Sequence, residues 1–82
     1  MFDFVKTKIA GRRLFQVPFS YRGEDRTRIY RRMNVSVPDS DKAEQKAGRV
    51  AWKLSQRRSF LKEYPEAAVC FLHIYDLGTL DA

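Results

Sequence analysis

One cysteine, one histidine, three prolines and four glycines among 82 residues leave this chain few chemical options. A lone Cys70 closes no intrachain disulfide and supplies no thiolate cluster for zinc, so the core has to hold the fold unaided. A lone His73 offers no paired imidazoles, and a metal site needs several His, Cys or carboxylate ligands close together. No metal and no cofactor is therefore expected. No run approaches the roughly 20 uncharged apolar residues that span a bilayer. The opening MFDFVKTKI puts Asp3, Lys6 and Lys8 where a signal peptide has its apolar stretch. These absences predict a cytoplasmic protein with no membrane contact. A chain of this size buries only about 60–65% of its unfolded surface, enough for one core but not for a deep, walled catalytic cleft. Residues 1–82 are expected to form one small basic domain, with 77–82 as a frayed tail.

Carboxylates are also in short supply. Ten Asp plus Glu face sixteen Lys plus Arg, a net charge of +6, with a sequence pI near 9.8. A protein so charged is drawn to polyanions before any specific contact forms. Ten of the sixteen cations are Arg, whose planar fork binds phosphate bidentately and stacks on bases, whereas solubility alone is served equally well by Lys.

Hydrophobic periodicity divides the chain. FDFVKTKI alternates weakly, with Phe2 and Phe4 on one side and Val5, Thr7 and Ile9 on the other, and predicts a short strand. LFQVPFS (14–20) alternates clearly, and Pro18, which lacks an N–H, predicts an edge position for it. YRGEDR (21–26) is polar with a central glycine and predicts a hairpin loop. From Thr27 to Val37 the residues Ile29, Met33, Val35 and Val37 share one face, and Arg28, Tyr30, Arg32, Asn34 and Ser36 share the other. After Pro38, the run Asp39, Ser40 and Asp41 supplies capping oxygens, with Glu44 in the capping-box position to Asp41. A single helix is predicted from about residue 41 to Lys62, ended by the Tyr64-Pro65 step. Its apolar stripe gathers Ala43, Ala47, Val50, Ala51, Leu54 and Leu61. AAVCFLHIYDL (67–77) is apolar on both faces and predicts a central strand, with Ala68, Cys70, Leu72 and Ile74 toward the helix and Val69, Phe71, His73 and Tyr75 outward. The expected class is α+β: an antiparallel sheet of three to four strands with one amphipathic helix on one face, in the order (β)ββαβ.

Two clusters carry the functional expectation. Lys42, Lys46, Arg49, Lys53 and Arg57 fall within about 80° of one another on a helical wheel, so one line of cations can follow a row of phosphates. Arg22 and Arg26 flank the hairpin loop, and Arg28, Tyr30 and Arg32 recur at period two on one strand face. That alternation of cation and ring suits unpaired bases or a groove. The chemistry resembles a single-strand-binding platform, although no RNP-type motif is present and the element order differs from that of an RNA-recognition fold.

Catalysis is not expected. Pro38-Asp39 followed by Glu44-Gln45-Lys46 superficially matches a metal-dependent nuclease pattern, but on a helix Glu44 and Lys46 point about 200° apart and cannot converge on one ion. Cys70 and His73 point to opposite faces of a strand, which precludes a nucleophile and base pair.

The residues thus point to a non-enzymatic protein that binds DNA or RNA. The alternative is a small inhibitor or assembly factor, of the kind phages and mobile elements carry, that docks on an acidic or nucleic-acid-binding surface of a larger protein complex. For that role Trp52, Phe60, Phe71 and Tyr75 are the anchors, because aromatic side chains dominate interface energetics. Unpaired strand edges add a homodimer to the expected partners.

Overall fold

The alternation at 14–20 extends in both directions into one long strand. In the computed structural model, which describes residues 11–80, strand β1 runs Arg12–Arg22 and is followed by β2, Arg28–Pro38. The two pair antiparallel over their whole length, from Arg12 opposite Pro38 to Arg22 opposite Arg28. The connection is a short turn, Glu24–Arg26, in which Asp25 and Arg26 take left-handed angles. Gly23 admits the Ile29 side chain, which would lie 2.4 Å from an added Cβ. Next come helix α1, Ala43–Ser55, a second helix α2, Arg58–Glu63, a two-residue strand β3, Ala68–Val69, and strand β4, Tyr75–Leu80. The class is α+β as expected, a four-stranded antiparallel sheet with one main helix. The strand predicted over FDFVKTKI lies outside the described residues.

Odd-numbered residues of the hairpin build the core. Phe15, Val17 and Phe19 of β1 and Val35 and Val37 of β2 are buried together with Ala43, Ala47 and Ala51 of α1. Each fully buried Val or Phe contributes about 1.5–3 kcal/mol of transfer free energy. The alanines at i, i+4 and i+8 let the helix lie close on the sheet, while Met33, Val69 and Ile74 close its margins. Even-numbered residues form the opposite face, which no helix covers among the described residues.

Four expectations are corrected. First, β1 is central, between β2 on one side and β3 and β4 on the other, so Pro18 is not on an edge strand. The N–H of Cys70 donates to the Pro18 carbonyl at 2.9 Å, so the peptide groups of residue 18 face β3 and β4. The missing N–H faces that side too. There the last strand breaks: Val69 pairs with Phe19 and Tyr75 with Gln16, and residues 70–74 bow out between them. The predicted central strand over 67–77 is therefore two strands, and the bow changes the expected facing of part of it. Val69 packs on the core and Phe71 against the helix, where both were expected outward, and Leu72, expected toward the helix, stands 87% exposed, while Ile74 packs on the core as expected.

Second, residues 77–80 of the expected frayed tail are strand, and 81–82 lie outside the described residues. Residues 77–80 continue β4 along β1 as far as Leu80 opposite Arg12, past a bulge at Leu77 where Gly78 adopts φ +95°. A turned-in Asp76 Oδ1 accepts the Gly78 N–H at 2.8 Å and holds this kink.

Third, the helix is interrupted. Arg57 is extended (ψ 142°) between α1 and α2. The break falls in the polar stretch SQRRS, where the apolar stripe lapses and buried Ser55 donates its hydroxyl to the Trp52 carbonyl at 2.6 Å. Re-aiming α2 brings Phe60 5.3 Å from Phe19 and 4.8 Å from Tyr64, ring centroid to centroid, and Tyr64 in turn packs on Tyr21. The end at Tyr64-Pro65 is as the sequence predicts.

Fourth, the cap differs. Ser40, not Asp41, serves the helix start: its hydroxyl accepts the Lys42 N–H and its carbonyl accepts the Ala43 N–H.

Candidate functional site

Helix α1 presents three cations in regular helical positions, Lys46, Arg49 and Lys53, with Lys42 at its N-cap. All four are exposed. On the helical wheel they lie about 165° from the centre of the five buried residues of the helix, Ala43, Ala47, Gly48, Ala51 and Ser55, so they point away from the sheet. Glu44, the one carboxylate within α1, falls on the other side of the wheel. From Lys42 to Lys53 the line is about 16 Å long at 1.5 Å per residue, the reach of several phosphates along one strand. Arg57 does not belong to it. Within α1 the line ends at Lys53, because Arg57 lies past the helix end as the extended residue that precedes α2.

The hairpin arginines sit on the far side of the molecule. Arg28, Tyr30 and Arg32 occupy even positions of β2, opposite the helix, so the two clusters do not form one continuous grip. Their availability differs as well. Arg22 is ion-paired to Glu66 at 2.8 Å. Arg28 donates to Ser20 Oγ at 2.7 Å and to the Glu66 carbonyl at 3.1 Å, which fastens the loop after α2 to the sheet. Arg26 is exposed in the turn. Arg32 lies over the ring of Tyr75, 4.5 Å from guanidinium carbon to centroid. Tyr30 is 78% exposed.

On this face an open depression of about 460 Å³ is lined by Pro18, Ser20, Tyr30, Arg32, His73 and Tyr75, among others. Pro18 of β1 lies in its lining, and the bowed residues 70–74 contribute Cys70 and His73 to it. Sequence reasoning placed Pro18, Cys70 and His73 in structural roles and missed this hollow. The available signal was a proline inside a strongly alternating strand, which demands a gap on one side of it.

The aromatic anchors separate. Phe60 is part of the cluster with Phe19 and Tyr64, so it is not an exposed partner contact. Phe71 and Tyr75 lie on opposite faces: Phe71 packs over Gly48 of α1, where an added Cβ would stand 3.1 Å from its ring, and Tyr75 is on the open face. Trp52, one turn beyond Gly48, is 50% exposed and Phe71 is 52% exposed.

Beside these surfaces Arg13 forms an electrostatic hub, 2.9 Å from Asp76 and 3.2 Å from Asp39. The hydrogen bond to Asp76, and after it the one to Asp39, raises its proton affinity further above an already high value. With Asp39 engaged there, and Glu44 and Lys46 on α1, the nuclease-like motif does not assemble, and no group of three or more potential metal ligands occurs among the described residues.

No protein-family model matches the chain, and no curated protein and no solved structure is significantly similar to it.

Proposed function

We propose that this chain is a non-enzymatic nucleic-acid-binding protein whose helix α1 lies along a phosphate backbone. The observation that carries the reading is the line Lys42, Lys46, Arg49 and Lys53: exposed, aimed away from the core, and uninterrupted by any carboxylate on its side of the helix. Like charges at i, i+3 and i+4 cost an isolated helix a few tenths of a kcal/mol per pair, and a phosphate row repays that cost. The overall charge of +6 adds long-range attraction. Four neutralised phosphates give a slope of log K against log salt of about −3.5 on duplex DNA.

The test is anisotropy with a labelled 20-base-pair duplex. The triple variant Lys46→Glu, Arg49→Glu, Lys53→Glu is compared with Arg26→Glu, Arg58→Glu, Lys62→Glu, which removes the same charge off the line. The first set should weaken binding much more than the second. Equal losses would reduce the reading to net charge, and no binding by the unaltered protein would end it.

A second reading draws on two half-exposed rings, Phe71, which packs over Gly48 of α1, and Trp52, one helical turn beyond Gly48. Exposed aromatic side chains of this kind suit a protein partner. Trp52→Ala and Phe71→Ala separate the two readings, since they remove apolar anchors and leave every charge in place.

A further inference from the structure

The open sheet face carries planar groups at a spacing that the phosphate reading does not use. Tyr30 and Arg32 are two residues apart on one face of β2, so their side chains leave the strand about 6.7 Å apart. Stacked bases are about 3.4 Å thick. That spacing at the backbone leaves the thickness of one flat ring between the two side chains where they leave the strand. The Arg32 guanidinium rests 4.5 Å above the Tyr75 ring. Tyr30, by contrast, is 78% exposed and stacks on nothing within its own chain among the described residues.

We infer that the hollow above Pro18 holds one unpaired base of a single-stranded nucleic acid, stacked on Tyr30 and against Arg32. The inference rests on the nucleic-acid reading and specifies what the second face of the protein binds. A volume of about 460 Å³ accommodates a base and its sugar. The lining suits both parts of a nucleotide. Pro18, Tyr30 and Tyr75 are flat and largely apolar, Ser20 and His73 offer hydrogen bonds to a base edge, and Arg32 places positive charge where the attached phosphates leave the hollow. A paired base presents no free face to Tyr30, so the hollow selects against duplex. Because this face is opposite the α1 line, the two surfaces are separable by mutation.

The experiment uses the full chain with labelled ten-nucleotide oligodeoxythymidylate, ten-nucleotide oligouridylate and the 20-base-pair duplex, read by anisotropy at fixed salt. Tyr30→Ala is expected to weaken binding of at least one single strand about tenfold or more, and of duplex less than twofold; Tyr30→Phe, which keeps the ring, is expected to restore it. Tyr30 is too exposed for its loss to unfold the sheet. Single-strand binding unchanged in Tyr30→Ala, or an equal loss on both substrates, overturns the inference and leaves the α1 reading standing. No binding of either substrate by the unaltered protein overturns both.

Discussion

The Arg13 guanidinium reaches Asp76 at 2.9 Å and so ties the first strand of the sheet to the last, 63 residues away. The same carboxylate accepts the Gly78 N–H and fixes the bulge that lets β4 follow β1. The hydrogen bond from Arg13, and then that from Gly78, hold the Asp76 carboxyl below the ordinary aspartate range. A group whose folded pKa is depressed contributes stability that is present above its unfolded value, about 3.9, and lost as pH falls through the folded one. Asp76→Asn should therefore lower the urea midpoint at pH 7, and the difference from the unaltered protein should shrink as the pH drops below 4. An unchanged midpoint at pH 7 would show that the contact is energetically silent.

Phe60 and Trp52 give opposite expectations although both fall off the apolar stripe of a straight helix. Phe60 is half-buried among Phe19 and Tyr64, whereas Trp52 is half-exposed with no aromatic neighbour among the described residues. Phe60→Ala should cost about 2–3 kcal/mol in chemical denaturation. Trp52→Ala should cost under about 1 kcal/mol, as surface substitutions do. A reversed order would mean that α2 does not pack on the sheet as described.

Salt dependence distinguishes a residue on the cation line from one displaced by the helix break. Lys46→Ala removes one phosphate contact and should make the log K against log salt slope on duplex shallower by about 1. Arg57→Ala, past the end of α1 at the extended link to α2, should change it by less than half as much. Equal changes would mean that the duplex spans the α1–α2 break.

The sequence was informative where alternation or periodicity was regular. The odd-numbered core of the hairpin, the outward Arg28, Tyr30 and Arg32, the alanine stripe and the stop at Tyr64-Pro65 all follow from local pattern. What escaped it depends on contacts distant in sequence. The apolar run 67–77 reads as one strand because nothing within it marks a break; the break lies opposite Pro18, far earlier in the chain, which offers no N–H on that side. The α1–α2 interruption has no Gly or Pro to announce it, and its consequence, Phe60 and Tyr64 packed on Phe19, is a contact distant in sequence. Of the candidate site, the exposed line of Lys46, Arg49 and Lys53 was legible from spacing alone. That the helix line and the hairpin face look in opposite directions was not, since it follows from which side of the sheet the helix covers. Among the described residues the outer edge of β2 is unpaired; it carries Arg28, Arg31 and Arg32, and like charges brought face to face disfavour pairing with a second copy of the same strand.

Pro18 itself provides the sharpest test of how the hollow is made. In an antiparallel pair of this type each residue donates to and accepts from its opposite, yet between residues 18 and 70 only half of that exchange exists, the Cys70 N–H to the Pro18 carbonyl. Pro18→Val supplies the absent donor on the side that faces Cys70, and a β-branched residue suits a central strand. The new N–H should bond the Cys70 carbonyl and extend β3 by one residue, drawing the bow inward and narrowing the depression. Amide exchange followed by NMR checks this directly: the new amide at position 18 should be protected to a degree comparable with its neighbours in β1, and the Cys70 amide more protected than in the unaltered protein. Single-strand binding should weaken in the same variant while duplex binding holds, because the floor and wall of the hollow change and the α1 line does not. If the introduced amide exchanges as fast as an exposed loop, residues 70–74 bow out for reasons of their own, and the proline merely tolerates the gap.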